Sequence, residues 1–276
     1  MNTSFSLHKI HSQDNCPFSE EEYSWFKFGD KQFAKEFAKQ LFDAFMKEYG
    51  DIILQQEQII ILPSPYLSIP TASNFLCSYF KEELNNFLFS NHKKAALESK
   101  IYRNQTYVTD YGNLDFEERV KLISNDTYYI DRNFISGKFC ILLDDIKITG
   151  SHEHTVNKIL NEYNVDGDFI FVYFAELISK DIHPKIENYY NYFAVKTIDD
   201  IINVVNRATF QYNTRIIKYI LNLDEGTFVH FLKNISKERA KDLFQLAISN
   251  NYHQINEYKN ILNKEVPKEI LEEELN

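Results

Sequence analysis

Cysteine is scarce in this chain: three in 276 residues, at positions 16, 77 and 140, with no CxxC spacing. An odd, dispersed set suits neither a disulfide framework nor a zinc site, and points to a reduced, cytoplasmic protein. Long apolar runs are missing too. No stretch approaches the roughly 20 residues that a membrane span needs, so no membrane contact is expected. The opening MNTSFSLHKIHSQDN has neither the basic nor the apolar segment of a signal peptide. Positive charge is in deficit. Forty acidic residues face 30 basic ones, for a formal charge of −10, which argues against nucleic acid as a partner. Glycine is rare, with seven in all, so a glycine placed in a turn is informative. No internal repeat is visible.

What is present suffices for a core. Hydrophobic residues make up 44% of the chain and aromatics 15%. Its length suits one sizeable domain with an extension, or two small domains. Residues 1–25 read as a polar, irregular lead-in. Asp30 then caps an amphipathic helix in which Phe33, Phe37, Leu41 and Phe45 recur every fourth residue, with Gly50 as its expected stop. QIIIL (58–62) is a continuous apolar run of the kind that parallel sheets bury on both faces. The proline-rich loop PSPYLSIP follows it, and then a helix from about Thr71 to 89. Further on, IYRNQTYV and TYYIDRNFISGK each suggest a short strand, around the exposed, charged TDYGNLDFEERVKLISND. FCILL (139–143), DFIFVYF (168–174) and NYFAV (191–195) read as strands. A helix marked by Thr155, Val156, Ile159, Leu160 and Tyr163 lies between the first two. TIDDIINVV opens another, with Thr197 and Asp200 in capping-box spacing.

This alternation predicts an α/β fold, with a mostly parallel central sheet flanked by helices. It covers residues 1–203, with its core at about 57–200. Strand signals then stop, and 204–276 reads as a C-terminal α-helical extension. Its aromatics (Phe228, Phe231, Phe244, Tyr252 and Tyr258) suit packing on the core or on a twin subunit, which leaves a homodimer open.

The chemistry concentrates in FCILLDDIKITGSHEHTV (139–156). A strand without a polar residue ends in Asp144 and Asp145, and Thr149, Gly150 and Ser151 lead into a helix. Ligands of open parallel sheets bind at the carboxyl ends of the strands. A helix N-terminus offers unpaired N–H groups and a positive dipole end to an anion, and glycine lets the backbone approach a phosphate. Paired carboxylates beside such a turn suit a sugar phosphate, with the acids accepting from vicinal hydroxyls. A receiver domain of the response-regulator kind also pairs acids after a strand, but near its start and without a phosphate turn. His152 and His154 would point to different faces of a helix, which makes HxH a poor metal chelate.

LLDDIKITGS resembles the phosphoribosyl-pyrophosphate (PRPP) signature of type I phosphoribosyltransferases, and the order of elements over roughly 25–200 agrees. The resemblance implies that Asp144 and Asp145 grip the ribose hydroxyls and hold Mg²⁺, and that Ile148, Thr149, Gly150, Ser151 and His152 form the phosphate turn. It puts Ser64 and Tyr66 in the pyrophosphate loop and residues 109–126 in a mobile loop over the site. Arg103, Arg119 and Lys121 become candidates for neutralising pyrophosphate, with Arg103 and Lys121 carried as catalytic. Lys147 stands where the family has an aliphatic residue, Ile148 and His152 replace hydroxyl residues, and the 63–70 loop lacks the usual cation and glycines. WFKFGD, DDIKITGSHEH and YNTRIIKYIL also resemble bacterial phosphoribosyltransferase-like proteins found with tellurium-resistance and stress genes. The implied activity is transfer of a phosphoribosyl group from PRPP to a base-like nitrogen acceptor, with Mg²⁺ as cofactor. A PRPP- or nucleotide-sensing protein without turnover, or an interaction protein on the same fold, are the rival readings.

Overall fold

The computed structural model describes residues 2–103, 115, 117 and 128–265. The strands are β1 (Asn2–Ile10), β2 (Ile59–Pro63), β3 (Leu97–Glu98), β4 (Tyr102–Arg103), β5 (Tyr128–Tyr129), β6 (Lys138–Lys147) and β7 (Gly167–Leu177). The helices of the α/β part are α1 (Glu20–Lys27), α2 (Lys31–Gln55), α3 (Ala72–Ser90), α4 (Arg132–Ile135), α5 (Ser151–Glu162) and α6 (Ile186–Asn191). After them come α7 (Ile198–Val205), α8 (Thr214–Leu221), α9 (Glu225–Lys233), α10 (Lys237–Ser249) and α11 (Asn256–Glu265).

The main sheet runs β1-β7-β6-β2-β3 with every pairing parallel. β4 and β5 form a separate antiparallel pair. The centre is apolar on both faces because both are covered. Ile59, Ile61, Phe139, Ile141 and Leu143 pack with α1, α2 and α3. Ile60, Leu62, Cys140 and Leu142 pack with Val156, Ile159 and Leu160 of α5. β6 pairs with β2 only as far as Leu143 opposite Pro63, whereas its pairing with β7 runs on to Lys147 opposite Glu176. The last residues of β6 therefore stand at the carboxyl rim with no β2 beside them.

A third apolar cluster joins α7–α11 to the α/β part. Phe28, Ile69 and Val195 are buried in it together with Ile217, Phe228, Phe244 and Tyr258. Polar ties reinforce the joint. Arg207 Nη1 donates to Asp30 at 2.8 Å, Asn213 donates to the Lys27 carbonyl at 3.0 Å, and Thr214 donates to the Ile69 carbonyl at 2.9 Å. The 203/204 boundary read from the sequence falls inside α7. Among the described residues, no helix is long and apolar enough to cross a membrane.

Several sequence expectations are corrected. The lead-in is not irregular. It forms edge strand β1, whose alternating polar and apolar residues suit half burial, and α1, capped by Ser19 accepting from the Glu22 amide. Gly50 does not stop α2. The helix runs five residues further and buries Ile53 completely; at half-buried Gly50 an added Cβ would meet only Met46 Cε, at 3.6 Å. NYFAV is not a strand. Asn191 ends α6, and Val195 is buried against the helical cluster without sheet pairing. A short apolar run carries no period, so burial among helices mimics a buried strand. β6 continues through both aspartates instead of ending before them.

Candidate functional site

Alternation along a strand sends consecutive side chains to opposite faces. Asp144 thus continues the row of Cys140 and Leu142, and Asp145 the row of Ile141 and Leu143. The two acids meet different neighbours. Asp145, 5% exposed, accepts from Tyr23 Oη at 2.6 Å and pairs with the ammonium of Lys27, both on α1. Burial and the neighbouring Asp144 charge push its carboxyl up from the usual range despite Lys27. Asp144 is half-buried and faces α5, where His152 Nδ1 lies 2.9 Å from Oδ2. Burial would raise its pKa, but the His152 charge and a Ser64 hydroxyl overcome this, so Asp144 stays ionised well below the ordinary range. Conversely, burial would lower the His152 pKa, and the Asp144 carboxylate more than reverses it.

The turn after β6 has features that an anion site would use. Gly150 is the N-cap of α5 with φ +74°, a left-handed conformation that suits glycine. Gly150 itself caps nothing; the Ser151 amide donates to Thr149 Oγ1 at 3.4 Å, and the positive end of the helix dipole lies at this turn. Thr149 Oγ1 donates to Ser151 Oγ at 3.0 Å, which sets both hydroxyls at the turn. Lys147 is tied to Glu153 at 2.8 Å and Glu176 at 3.4 Å, clamping strand to helix.

Opposite, the loop after β2 ends at α3, whose start is held by a Thr71/Asn74 capping box. Ser73 Oγ donates to Ser64 Oγ at 3.0 Å, and Asn74 Nδ2 to the Ser64 carbonyl at 3.1 Å. Ser64, Thr71 and Ser73 border a cleft of about 540 Å³. Asp144, Asp145, Ile148, Thr149, Gly150, Ser151, His152, Ser64 and Arg103 all line it, so residues more than 80 positions apart in sequence are brought together. Tyr66 does not line it; its ring lies under the Lys100 ammonium, 3.5 Å from the centroid. Arg119 and Lys121 lie outside the described residues, as does almost all of the 109–126 loop.

Some cleft residues escaped the sequence reading. Lys27 comes from just after the supposed lead-in of residues 1–25. Its signal was WFKFGD, with a lysine among aromatics at a helix end. Arg215, Lys218 and Tyr219 come from α8, and Asn222 is its C-cap. Their spacing marks them as the polar face of an amphipathic helix, but nothing local says that this face looks into a cleft. Among the described residues, no three His, Cys, Asp or Glu side chains gather to hold a metal ion. Asp144 and Asp145, both in the lining, could share one with oxygens of a ligand.

A family model described as PRTase ComF-like matches residues 1–264. No curated protein matches the chain. Among solved structures, the chain is similar to adenine phosphoribosyltransferase from Saccharomyces cerevisiae, at 12% identity and a TM-score of 0.30, covering 58% of this chain and 75% of that one. A hypoxanthine phosphoribosyltransferase from Staphylococcus aureus matches at 10% identity and a TM-score of 0.32, covering 55% and 76%. A purine phosphoribosyltransferase from Pyrococcus horikoshii matches at 9% and 0.29, covering 53% and 90%.

Proposed function

Because this chain belongs to the PRTase ComF-like family, PRTase standing for phosphoribosyltransferase, we propose that its cleft binds PRPP and transfers the phosphoribosyl group to a nitrogen acceptor. One observation carries the reading. An ionised Asp144 lines the same cleft as a glycine-led helix start with two hydroxyls, Thr149 and Ser151. The 5-phosphate sits on the 149–152 turn, where amides, two hydroxyls and a protonated His152 meet it. Asp144 accepts from the ribose diol. As the bond from ribose C1 to pyrophosphate breaks, positive charge grows on the ring, and the nearby carboxylate favours it. Asp145, held by Lys27 and Tyr23, positions the rim. Ser64 and Arg103 meet the pyrophosphate. Mg²⁺, bound mainly through substrate oxygens and Asp144, would neutralise the leaving group; an ion that keeps most of its own waters needs few protein ligands.

A second reading, PRPP sensing without turnover, has two features in its favour. The 63–70 loop holds no lysine or arginine, and Asp145 is already engaged by α1. Calorimetric titration of PRPP with Mg²⁺ into wild type and Asp144→Asn tests the shared site, with binding expected in the first and at least tenfold weaker in the second. Pyrophosphate release in the presence of acceptor then separates enzyme from sensor. No PRPP binding by the wild type would end both readings and leave an interaction protein.

A further inference from the structure

The two acids at the end of β6 each have a nitrogen partner from another element. His152 Nδ1 of α5 lies 2.9 Å from Asp144 Oδ2, and the Lys27 ammonium of α1 pairs with Asp145. Lys27 lines the cleft although only 8% of it is exposed, an unusual place for a lysine. It stands one helical turn beyond Tyr23, and both side chains donate to Asp145 Oδ2, the tyrosine at 2.6 Å. The ammonium also lies 5.6 Å from the Tyr23 ring centroid. Neighbouring elements fix the backbone that carries it. Ser24 Oγ donates to the Asn191 carbonyl of α6 at 2.9 Å. Asn213, wholly buried, donates to the Lys27 carbonyl at 3.0 Å. On either side of Lys27, Phe26 is buried in the sheet's cluster and Phe28 in the helical one.

This contact decides what else Asp145 can hold. A divalent ion gains most from a carboxylate whose charge is uncompensated. An ammonium already in contact takes up that charge and repels a second cation. Asp145 without Lys27 would stand bare beside Asp144, with the buried Glu187 carboxylate also in the lining. Such a group of acids repels an incoming phosphate unless a cation offsets it. Lys27 supplies that cation from within the chain, and Thr149, Ser151 and the dipole end of α5 meet an anion without metal as well.

We propose that Lys27 is a resident cation of the ribose-phosphate site: its ammonium holds Asp145 in place of a divalent ion, so that the acid pair takes a sugar phosphate without metal. Any divalent ion is then left to the pyrophosphate. The inference rests on the reading of the cleft as a PRPP site. Lys27 acts through Asp145 and is in that sense a positioning residue, contributed by a helix outside the acid-and-turn motif.

The test separates the cation's role from mere support of the fold. Ribose 5-phosphate, which has no pyrophosphate to carry a metal, is titrated calorimetrically into the full chain in EDTA and in millimolar Mg²⁺. Wild type should bind it in both, with affinities within about twofold. Lys27→Met should bind at least roughly tenfold more weakly in EDTA and recover most of the loss in Mg²⁺, since the freed carboxylates then hold the ion. Mn²⁺ alone, followed by the paramagnetic resonance of the free ion, should bind Lys27→Met at least about tenfold more tightly than wild type. Lys27→Met/Asp145→Asn, which leaves neither charge unpaired, should not gain that Mn²⁺ site. The inference is overturned by wild-type binding that requires metal, by a loss in Lys27→Met that Mg²⁺ does not restore, or by Mn²⁺ gained equally in the double variant. Should Lys27→Met not fold, a metal requirement in wild type overturns the inference and equal affinities in EDTA and Mg²⁺ support it. If neither ribose 5-phosphate nor PRPP binds under any condition, the reading of the cleft falls, and the Mn²⁺ titrations still decide whether Lys27 keeps divalent ions from Asp145.

Discussion

Asp144 and Asp145 are chemically the same and adjacent, yet strand alternation gives them different work. Asp145 is enclosed by Tyr23 and Lys27. Replacing it with Asn leaves a buried ammonium without its counter-charge, the costly way to break an ion pair. Asp145→Asn should lose about 3 kcal/mol of stability in urea unfolding, whereas Asp144→Asn should lose less, giving up only the contact with the less buried His152, and should change ligand binding much. Equal loss in both would contradict the division of labour. His152 is a pH-dependent element of the same site. Asp144 holds its folded pKa above the ordinary imidazole value. The contact therefore contributes fully below about pH 6.5, the unfolded value, and its contribution is lost as pH rises through the folded pKa. Urea unfolding of wild type and His152→Gln from pH 5 to 9 should show the difference shrinking as pH rises. Phosphate affinity should fall over the same window. A difference that grows with pH would exclude the ion pair.

Among elements, two turns depend on glycine. Gly29 separates α1 from α2 with φ +96°, and a Cβ there would fall 2.3 Å from the Gln211 carbonyl oxygen. The Gln211 amide in turn donates to the Gly29 carbonyl at 2.9 Å. Gly29→Ala must push the two segments apart, and it should cost on the order of 3 kcal/mol by thermal or chemical unfolding. Gly150 poses a milder problem. A Cβ would meet only Lys147 Cε at 3.7 Å, an ordinary contact, so Gly150→Ala should cost about 1–2 kcal/mol from backbone strain alone. If it costs as much as Gly29→Ala, crowding rather than conformation governs the phosphate turn. The helices with capping signals were legible as sequence: Asp30 for α2, Thr197 with Asp200 for α7. β1 and the end of α2 were not. An edge strand is only half apolar, and a helix passes through glycine wherever a downstream side chain such as Ile53 finds burial.

For the molecule as a whole, the sheet and the C-terminal helices share an apolar cluster. Phe28, Ile69 and Val195 from one side are buried with Ile217, Phe228 and Tyr258 from the other. Cutting after residue 203 would expose that surface, break α7 and remove the α8 wall. The 1–203 fragment should therefore aggregate or unfold, and the full chain should melt in a single transition by calorimetry. Two separate transitions, or a soluble fragment with native circular dichroism, would show that the helices are dispensable for the fold.

The order of apolar runs was enough to determine a parallel sheet with helices on both faces, because a strand buried twice must be apolar throughout. Local composition likewise located the acids and the glycine turn at a strand's end, since backbone geometry and charge act within a few residues. Which partners each acid has was decided by tertiary structure alone, through α1 reaching across to Asp145 and His152 to Asp144. The same holds for the far wall of the cleft. The polar face of α8 looks solvent-facing as sequence, and only long-range packing of its apolar face beside Phe28 and Ile69 aims Arg215, Lys218 and Tyr219 at a site some seventy residues away.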